Sequence, residues 1–209
     1  MDDSQVPLLI TAVRLDSLKG DFFYTSHSPR RARSGRVSIE NAVLASTAAP
    51  TYFPAFQWPD NQTNKPERKI YIDGGVVANH PGLAAVTQAI EGFNRSMHDI
   101  DLLSIGTLWS GYVDMSRLAG KGNVAHATKL VDLFMDSQSA HVDEMLRSML
   151  AHRYLRINQQ VDKLPDLDDV RNIQTLIQHG QTIGIQTFPL VFGRFLRGQT
   201  AQPWKRYPE

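Results

Sequence analysis

The stretch Lys-Ile-Tyr-Ile-Asp-Gly-Gly-Val-Val-Ala-Asn-His-Pro-Gly, residues 69–82, restricts the chain more than any other. Ile70-Tyr71-Ile72 is an apolar run of strand type, and it stops on a carboxylate, Asp73. Gly74 and Gly75 follow at once. Glycine adopts backbone dihedrals that a Cβ disfavours, so the chain can turn sharply there. Asn79-His80-Pro81 then opens a helix, with Pro81 in the first turn, where a missing N–H costs little. The pattern predicts a carboxylate at the carboxyl end of a strand, on a tight turn into a helix. Open α/β sheets carry their reacting groups at such strand ends. An Asp-Gly step is also an ordinary turn, so the motif takes its meaning from its neighbours.

Upstream lies Val43-Leu44-Ala45-Ser46-Thr47-Ala48-Ala49-Pro50-Thr51-Tyr52-Phe53-Pro54, and downstream Asp101-Leu102-Leu103-Ser104-Ile105-Gly106-Thr107. The order is a small-residue stretch ending Ala-Pro-x-Tyr-Phe-Pro, then Tyr-x-Asp-Gly-Gly-x-x-x-Asn-x-Pro, then Leu-Ser-Ile-Gly-Thr. Together these blocks resemble the patatin-like phospholipase family, clearly from Pro7 to Thr107 and more loosely to the C-terminus. The resemblance implies an α/β fold of three α/β/α layers, here incomplete. Residues 1–209 would be the C-terminal portion of a single domain. It further implies hydrolysis of fatty-acyl esters of lipids by a Ser-Asp dyad, without metal or organic cofactor. Asp73 stands where that family has its catalytic aspartate. Gly74 and Gly75 would shape the turn that holds it, and Asn79 and Pro81 would fix the next helix. The implied partner is a lipid or acyl-ester substrate, in a pocket lined by groups such as Tyr52, Phe53 and Leu108. The implied setting is the cytoplasm or the periphery of a membrane.

The family's nucleophile sits in a Gly-x-Ser-x-Gly elbow behind a glycine-rich oxyanion loop, both upstream of the aspartate. Neither pattern occurs in these residues. A carboxylate base or orienter needs a hydroxyl within hydrogen-bond reach. Each missing oxyanion donor costs roughly a hundredfold to a thousandfold in rate. The sequence therefore predicts negligible ester hydrolysis by these residues alone, with Asp73 as half of a dyad. The alternative is a non-catalytic pseudoenzyme or interaction subunit, self-associating through apolar surface left exposed. Ser46 is not a substitute nucleophile, because no glycine elbow surrounds it and serines at helix ends usually serve the backbone. A triad through His80, and a metal hydrolase using Asp73, His80 and Asp101, both rank below the dyad.

Composition narrows the setting. The chain is 42% hydrophobic and 21% charged, as in ordinary globular domains. A net charge of +1 gives nucleic-acid binding no bulk electrostatic help. The absence of cysteine excludes disulfides and thiolate metal sites. No apolar run approaches the roughly 20 residues that span a bilayer. The N-terminal residues Met1-Asp2-Asp3-Ser4 lack signal-peptide character. Arg30, Arg31, Arg33 and Arg36 form the only dense basic cluster, read as a solvated loop, with anionic headgroups as the alternative ligand.

In chain order, Pro7 to Arg14 reads as a strand buried on both faces, as in a parallel sheet, and Phe22 to Thr25 as a second strand that forms a hairpin with it or lies beside it. Ser38 caps a short helix, Ile39 to Ser46, which Pro50 keeps from extending. Phe53 to Trp58 is a strand or turn, and residues 59–68 a surface loop. Leu83, Val86, Ile90, Phe93 and Met97 share a helix face, which Asn79 or His80 could cap. Ile100 to Ile105 is a strand turned by Gly106-Thr107. Gly120-Lys121-Gly122 lacks the rest of a phosphate loop. Val124 to Leu150 makes one or two helices, Arg153 to Ile157 a strand, and Ile173, Leu176, Ile177 and Ile183 one face of a last helix. Phe188 to Leu196 is an apolar packing or interface segment interrupted by Pro189 and Gly193.

Overall fold

The computed structural model describes residues 1–28, 30, 37–60, 67–110, 127–162, 164–165 and 168–198. The expectations for Arg31, Arg33, Arg36 and residues 120–122 lie outside them. Strands β1 (Leu9–Arg14), β2 (Lys19–Tyr24), β3 (Phe56–Asp60) and β4 (Glu67–Asp73) form one sheet in the order β2-β1-β4-β3. Strands β5 (Leu102–Ser110) and β6 (Tyr154–Val161) form a second, parallel sheet. Helices α1 (Ile39–Ser46), α2 (Gly75–Ala78), α3 (Gly82–Phe93), α4 (Ala127–Leu150) and α5 (Ile173–Val191) complete a mixed α/β architecture. No described helix is long and apolar enough to cross a membrane.

Every pairing in the first sheet is antiparallel, which corrects the parallel reading of β1. The link from Arg14 to Lys19 is a short turn with Leu18 in the left-handed region at φ 51°. So short a link joins only antiparallel strands, since a parallel partner needs a crossover of about a dozen residues. Only Ala12 and Val13 of β1 are fully buried. Of the surface loop expected over 59–68, both ends belong to strands instead, since β3 and β4 stay paired out to Asp60 opposite Glu67, and residues 61–66 lie outside the described residues.

Helix α1 begins and ends where its sequence predicts. The Ser38 side chain accepts the Asn41 N–H at 3.1 Å and so satisfies one of the orphan amides of the first turn. Ala42 and Ala45 are fully buried against Ala12, Phe23 and Tyr71. Small side chains let the helix sit close on the sheet, and the Phe23 and Tyr71 rings meet with centroids 5.5 Å apart. The Tyr71 hydroxyl donates to Asp21 at 3.0 Å.

A second core joins α3, α4 and β6 through Val86, Ile100, Leu146, Leu150 and Tyr154. Met97 packs there too, from a separate 3-10 turn (Met97–Asp99) rather than from α3. The helix stops earlier than its apolar spacing suggests because Asn94 takes a left-handed conformation, φ 52°, and caps it. Leu146 is fully buried, and its Cδ1 lies 2.7 Å from where a Cβ on Gly82 would fall. Leu146→Ala should therefore cost about 2–5 kcal/mol. Urea denaturation should show a lower midpoint with an unchanged slope.

Strand β5 runs through the turn expected at Gly106-Thr107. Its pairing with β6 slips between Ile105 and Leu108, the signature of a bulge. Gly106 sits at the slip because a Cβ there would lie 2.2 Å from Asn158 Oδ1. Helix α4 is one helix of 24 residues. Helix α5 continues through Pro189 to Val191 and ends in a π turn, Phe192–Leu196, where the expected break would fall.

Candidate active site

Asp73 is the last residue of β4, paired with Ala12 of β1, and is half-buried. Its backbone N–H donates to the Ala48 carbonyl at 3.0 Å, and that of Gly74 to the Ser46 carbonyl at 3.1 Å. The small-residue stretch after α1 thus grips the strand end through its backbone. Ser46 takes part by its carbonyl, as a residue at a helix end does. Asp73 Oδ1 accepts the Gly75 N–H at 2.6 Å, and this is the one hydrogen bond the carboxylate makes among the described residues. Burial raises its pKa above the ordinary aspartate value, and the Gly75 amide partly offsets that rise. The group is anchored through one oxygen and pushed toward basicity, as an acceptor for a hydroxyl proton should be.

The glycines are required by space. A Cβ on Gly74 would fall 2.1 Å from the Thr11 carbonyl oxygen, so β4 can leave β1 here only without a side chain. A Cβ on Gly75 would fall 2.6 Å from the Met135 methyl and 3.0 Å from Asp73 Oδ1. Asn79 is held by α4: its N–H donates to Gln138 Oε1 at 2.9 Å, while Gln138 Nε2 donates to the Val77 carbonyl at 2.6 Å. Pro81 is exposed and occupies the position before Gly82, ahead of the first helical residue. The cap of α3 comes from His80, whose Nδ1 accepts the Gly82 N–H at 3.1 Å; Asn79 makes no such bond.

His80 is 2% exposed and belongs to a buried network that sequence reasoning did not find. With Nδ1 accepting from Gly82, its Nε2 carries the proton and donates to the Tyr154 hydroxyl at 2.8 Å. Tyr154 donates in turn to Asp143 Oδ1 at 2.5 Å. Asp143 also accepts from Arg147 Nε at 2.9 Å, and Arg156 donates to Ser104 at 2.9 Å. Burial lowers the His80 pKa, the charge of Arg156 lowers it further, and Asp143 opposes both. Burial alone would raise Asp143, but bonds from Tyr154 and Arg147 and the Arg147 and Arg156 charges outweigh it and leave it below the ordinary value. Burial, then the bond and charge of Asp143, raise Tyr154. The only sequence trace of this network is the i, i+4 pair Asp143 and Arg147.

A cavity of about 480 Å³ lies beside the motif. Asn79, Pro81 and Gly82 are on its wall with Leu9, Phe93 and Leu103, but Asp73 is not. The pocket expected from Tyr52, Phe53 and Leu108 does not assemble. Tyr52 and Phe53 are 42% and 60% exposed, and Leu108 lines a different cavity of about 350 Å³ with Leu176 and His179. The reason is the route of the chain. Tyr52 and Phe53 turn on the surface after α1, and the Gly106 bulge carries Leu108 onward along β5. Among the described residues no group of three His, Asp or Glu side chains gathers as a metal site. His80 is committed to Gly82 and Tyr154, and Asp101 is exposed before β5.

The family described as patatin-like phospholipase matches residues 5–86. A cGAMP-activated phospholipase of Pseudomonas aeruginosa is 31% identical over 160 residues, covering 73% of this chain and 44% of that protein. Its namesake of Vibrio cholerae is 30% identical over 159 residues, with 73% and 43% covered. That of Escherichia coli is 32% identical over 164 residues, with 69% and 42% covered. The chain spans less than half the length of these relatives. The matched segment contains β1, α1, the Asp73 turn and the start of α3, and the chain belongs to the patatin-like phospholipase family.

Proposed function

We propose that this chain supplies the catalytic aspartate, Asp73, of a patatin-like lipid acyl hydrolase. The observation that carries the reading is the placement of Asp73. It is a half-buried carboxylate at the carboxyl end of β4, fixed through Oδ1 by the Gly75 amide. In the working enzyme a serine hydroxyl from polypeptide outside these residues gives its proton to Asp73 as it attacks an acyl-ester carbonyl. The alkoxide or alcohol of the lipid then leaves, and water releases the fatty acid. Gly74 and Gly75 let the turn form, and Asn79, tied to α4, fixes the exit into α3. The reaction takes place at a lipid surface, with no cofactor of the protein's own.

These residues alone should show no turnover of p-nitrophenyl acyl esters above background. Turnover that survives Asp73→Ala would refute the assignment, and turnover abolished by it would reveal a nucleophile among these residues. Asp73→Asn tests the electrostatics separately. The amide keeps an acceptor for the Gly75 N–H and removes a charge that burial disfavours, so thermal stability at pH 7 should hold or rise. The sign follows from linkage. A carboxylate whose folded pKa is raised costs stability once pH exceeds its unfolded value, up through its folded one. A large loss of stability in Asp73→Asn would mean that the charge itself holds the turn. An in-frame Gly-x-Ser-x-Gly upstream in the genome would support the catalytic reading, and an unrelated neighbouring gene the non-catalytic one.

A further inference from the structure

Helix α2 is a single turn, and one turn of helix does not hold itself together in water. Within it the Ala78 N–H donates to the Gly74 carbonyl at 2.8 Å, and the Val77 N–H to the same oxygen at 3.2 Å. The backbone stays helical through Asn79, φ −60° and ψ −28°, so the Val77 carbonyl is aimed along the helix toward position 81. A helix pairs each carbonyl with an N–H four residues ahead. Position 81 is proline, which has none. Gln138 of α4 supplies what is missing through its amide. Its Nε2 donates to the Val77 carbonyl at 2.6 Å, and its Oε1 accepts the Asn79 N–H at 2.9 Å. One side chain thus closes two backbone groups at the open end of the turn. Met135, three residues earlier on α4, places its methyl 2.6 Å from where a Cβ on Gly75 would fall, and its carbonyl accepts from Asn79 Nδ2 at 3.4 Å. The support is itself fixed: Leu146 of α4 is fully buried, and Asp143 accepts from Tyr154 at 2.5 Å. At its other end α2 starts on Gly75, whose N–H holds Asp73 Oδ1 at 2.6 Å. The set of the turn decides where that N–H points.

We propose that Gln138 is a positioning residue for Asp73: it stands in for the helical partner that Pro81 lacks, locks α2, and so keeps the Gly75 amide on one carboxylate oxygen and the other oxygen open to a hydroxyl. Gln138 touches no reacting atom and acts through the backbone of α2. The inference deepens the reading of Asp73 as the proton acceptor and rests on it. A glutamine that served packing alone would need neither of its polar atoms, and here both are used, one as donor and one as acceptor. Without them the Val77 carbonyl and the Asn79 N–H turn to water, and the turn is left to two bonds on a single oxygen of Gly74. A carboxylate that accepts a backbone N–H is a stronger acid than one that does not, so slack in α2 is legible at Asp73 itself.

The test is NMR spectroscopy on the whole chain. Gln138→Met keeps the reach of the side chain, suits a helix as well as glutamine does, and removes both bonds. Its thermal midpoint should fall by no more than about 4 °C. Amide exchange at Gly75 should speed about tenfold or more as the turn opens locally. The acid dissociation constant of Asp73, followed at its carboxyl carbon and assigned with Asp73→Asn, should fall about threefold or more, because the amide that favours the ionised form lets go. Ser137→Ala, at the exposed neighbouring position on α4, should change neither reading. Gln138→Ala repeats the measurement with a shorter side chain, in case methionine disturbs the packing. The proposal is overturned if Gly75 or Asp73 is unmoved in the Gln138 variants, or if Ser137→Ala moves them as much. It is overturned equally if both Gln138 variants unfold, since Gln138 would then hold the fold and not the turn. The catalytic reading is judged apart from this. An unmoved Asp73 sinks the positioning role and leaves Asp73 as the proton acceptor, whereas ester turnover that survives Asp73→Ala sinks that acceptor and leaves the tie between Gln138 and the carboxylate standing.

Discussion

Gly74→Ala should destabilise the chain by about 3 kcal/mol or more, although it adds a single methyl group. The backbone dihedrals of Gly74, φ −67° and ψ −22°, suit alanine, so strain in the chain is not the reason. The reason is contact: the new Cβ would lie 2.1 Å from the Thr11 carbonyl oxygen and 2.3 Å from Thr11 Oγ1. Strand β1 is held by β2 on one side and β4 on the other and has little room to retreat. Gly74 is held in its turn by its bond to the Ser46 carbonyl. Urea unfolding of the variant checks the expectation, and a loss below about 1 kcal/mol would show that the β1–β4 junction yields. Gly180→Ala is the control. Nothing lies within 4 Å of a Cβ there, so an alanine inside α5 should stabilise by about 0.5–1 kcal/mol.

His80→Ala should cost about 2–4 kcal/mol and flatten the acid side of the stability profile. Truncation removes the acceptor for the Gly82 N–H and the donor to Tyr154, both in a buried place, and opens a void under α3. The pH effect has a definite sign. Burial holds the His80 pKa below its ordinary 6.5, so between that value and the folded one the unfolded chain binds more protons. The stability of the neutral, buried ring is whole above pH 6.5 and is lost as pH falls toward the folded value. Asp143, whose pKa is also lowered, adds a second loss at more acid pH, as it protonates and releases Arg147 and Arg156. Thermal melts between pH 5 and 8 should therefore fall on acidification in the parent and much less in His80→Ala. Equal slopes would mean that other groups set the acid limit.

Much of the local structure was legible from short-range pattern. Ser38 and the alanines predict α1 to the residue because a cap and a helix face are properties of neighbouring positions. Ile70 to Gly75 predicts the strand, the carboxylate and the turn for the same reason. The near-continuous apolar run of β1 misled, because burial is shared by parallel strands and by antiparallel strands beneath a helix. The length of the Arg14–Lys19 link was the better guide. Leu108, Tyr52 and Phe53 were grouped by proximity to motifs, and a bulge and a surface turn scattered them.

The family, the position of Asp73 at a strand end and the demand for glycine after it were written in the order of residues, since each depends on a few adjacent side chains and one strand end. Tertiary structure decided what no window of sequence contains. It sealed His80 beneath Tyr154, 74 positions away, and set the Thr11 carbonyl where only a hydrogen fits. It also set residues of both sheets around one cavity. Contacts of that kind are fixed by how helices and sheets pack, and packing couples residues whose separation along the chain carries no trace of their meeting.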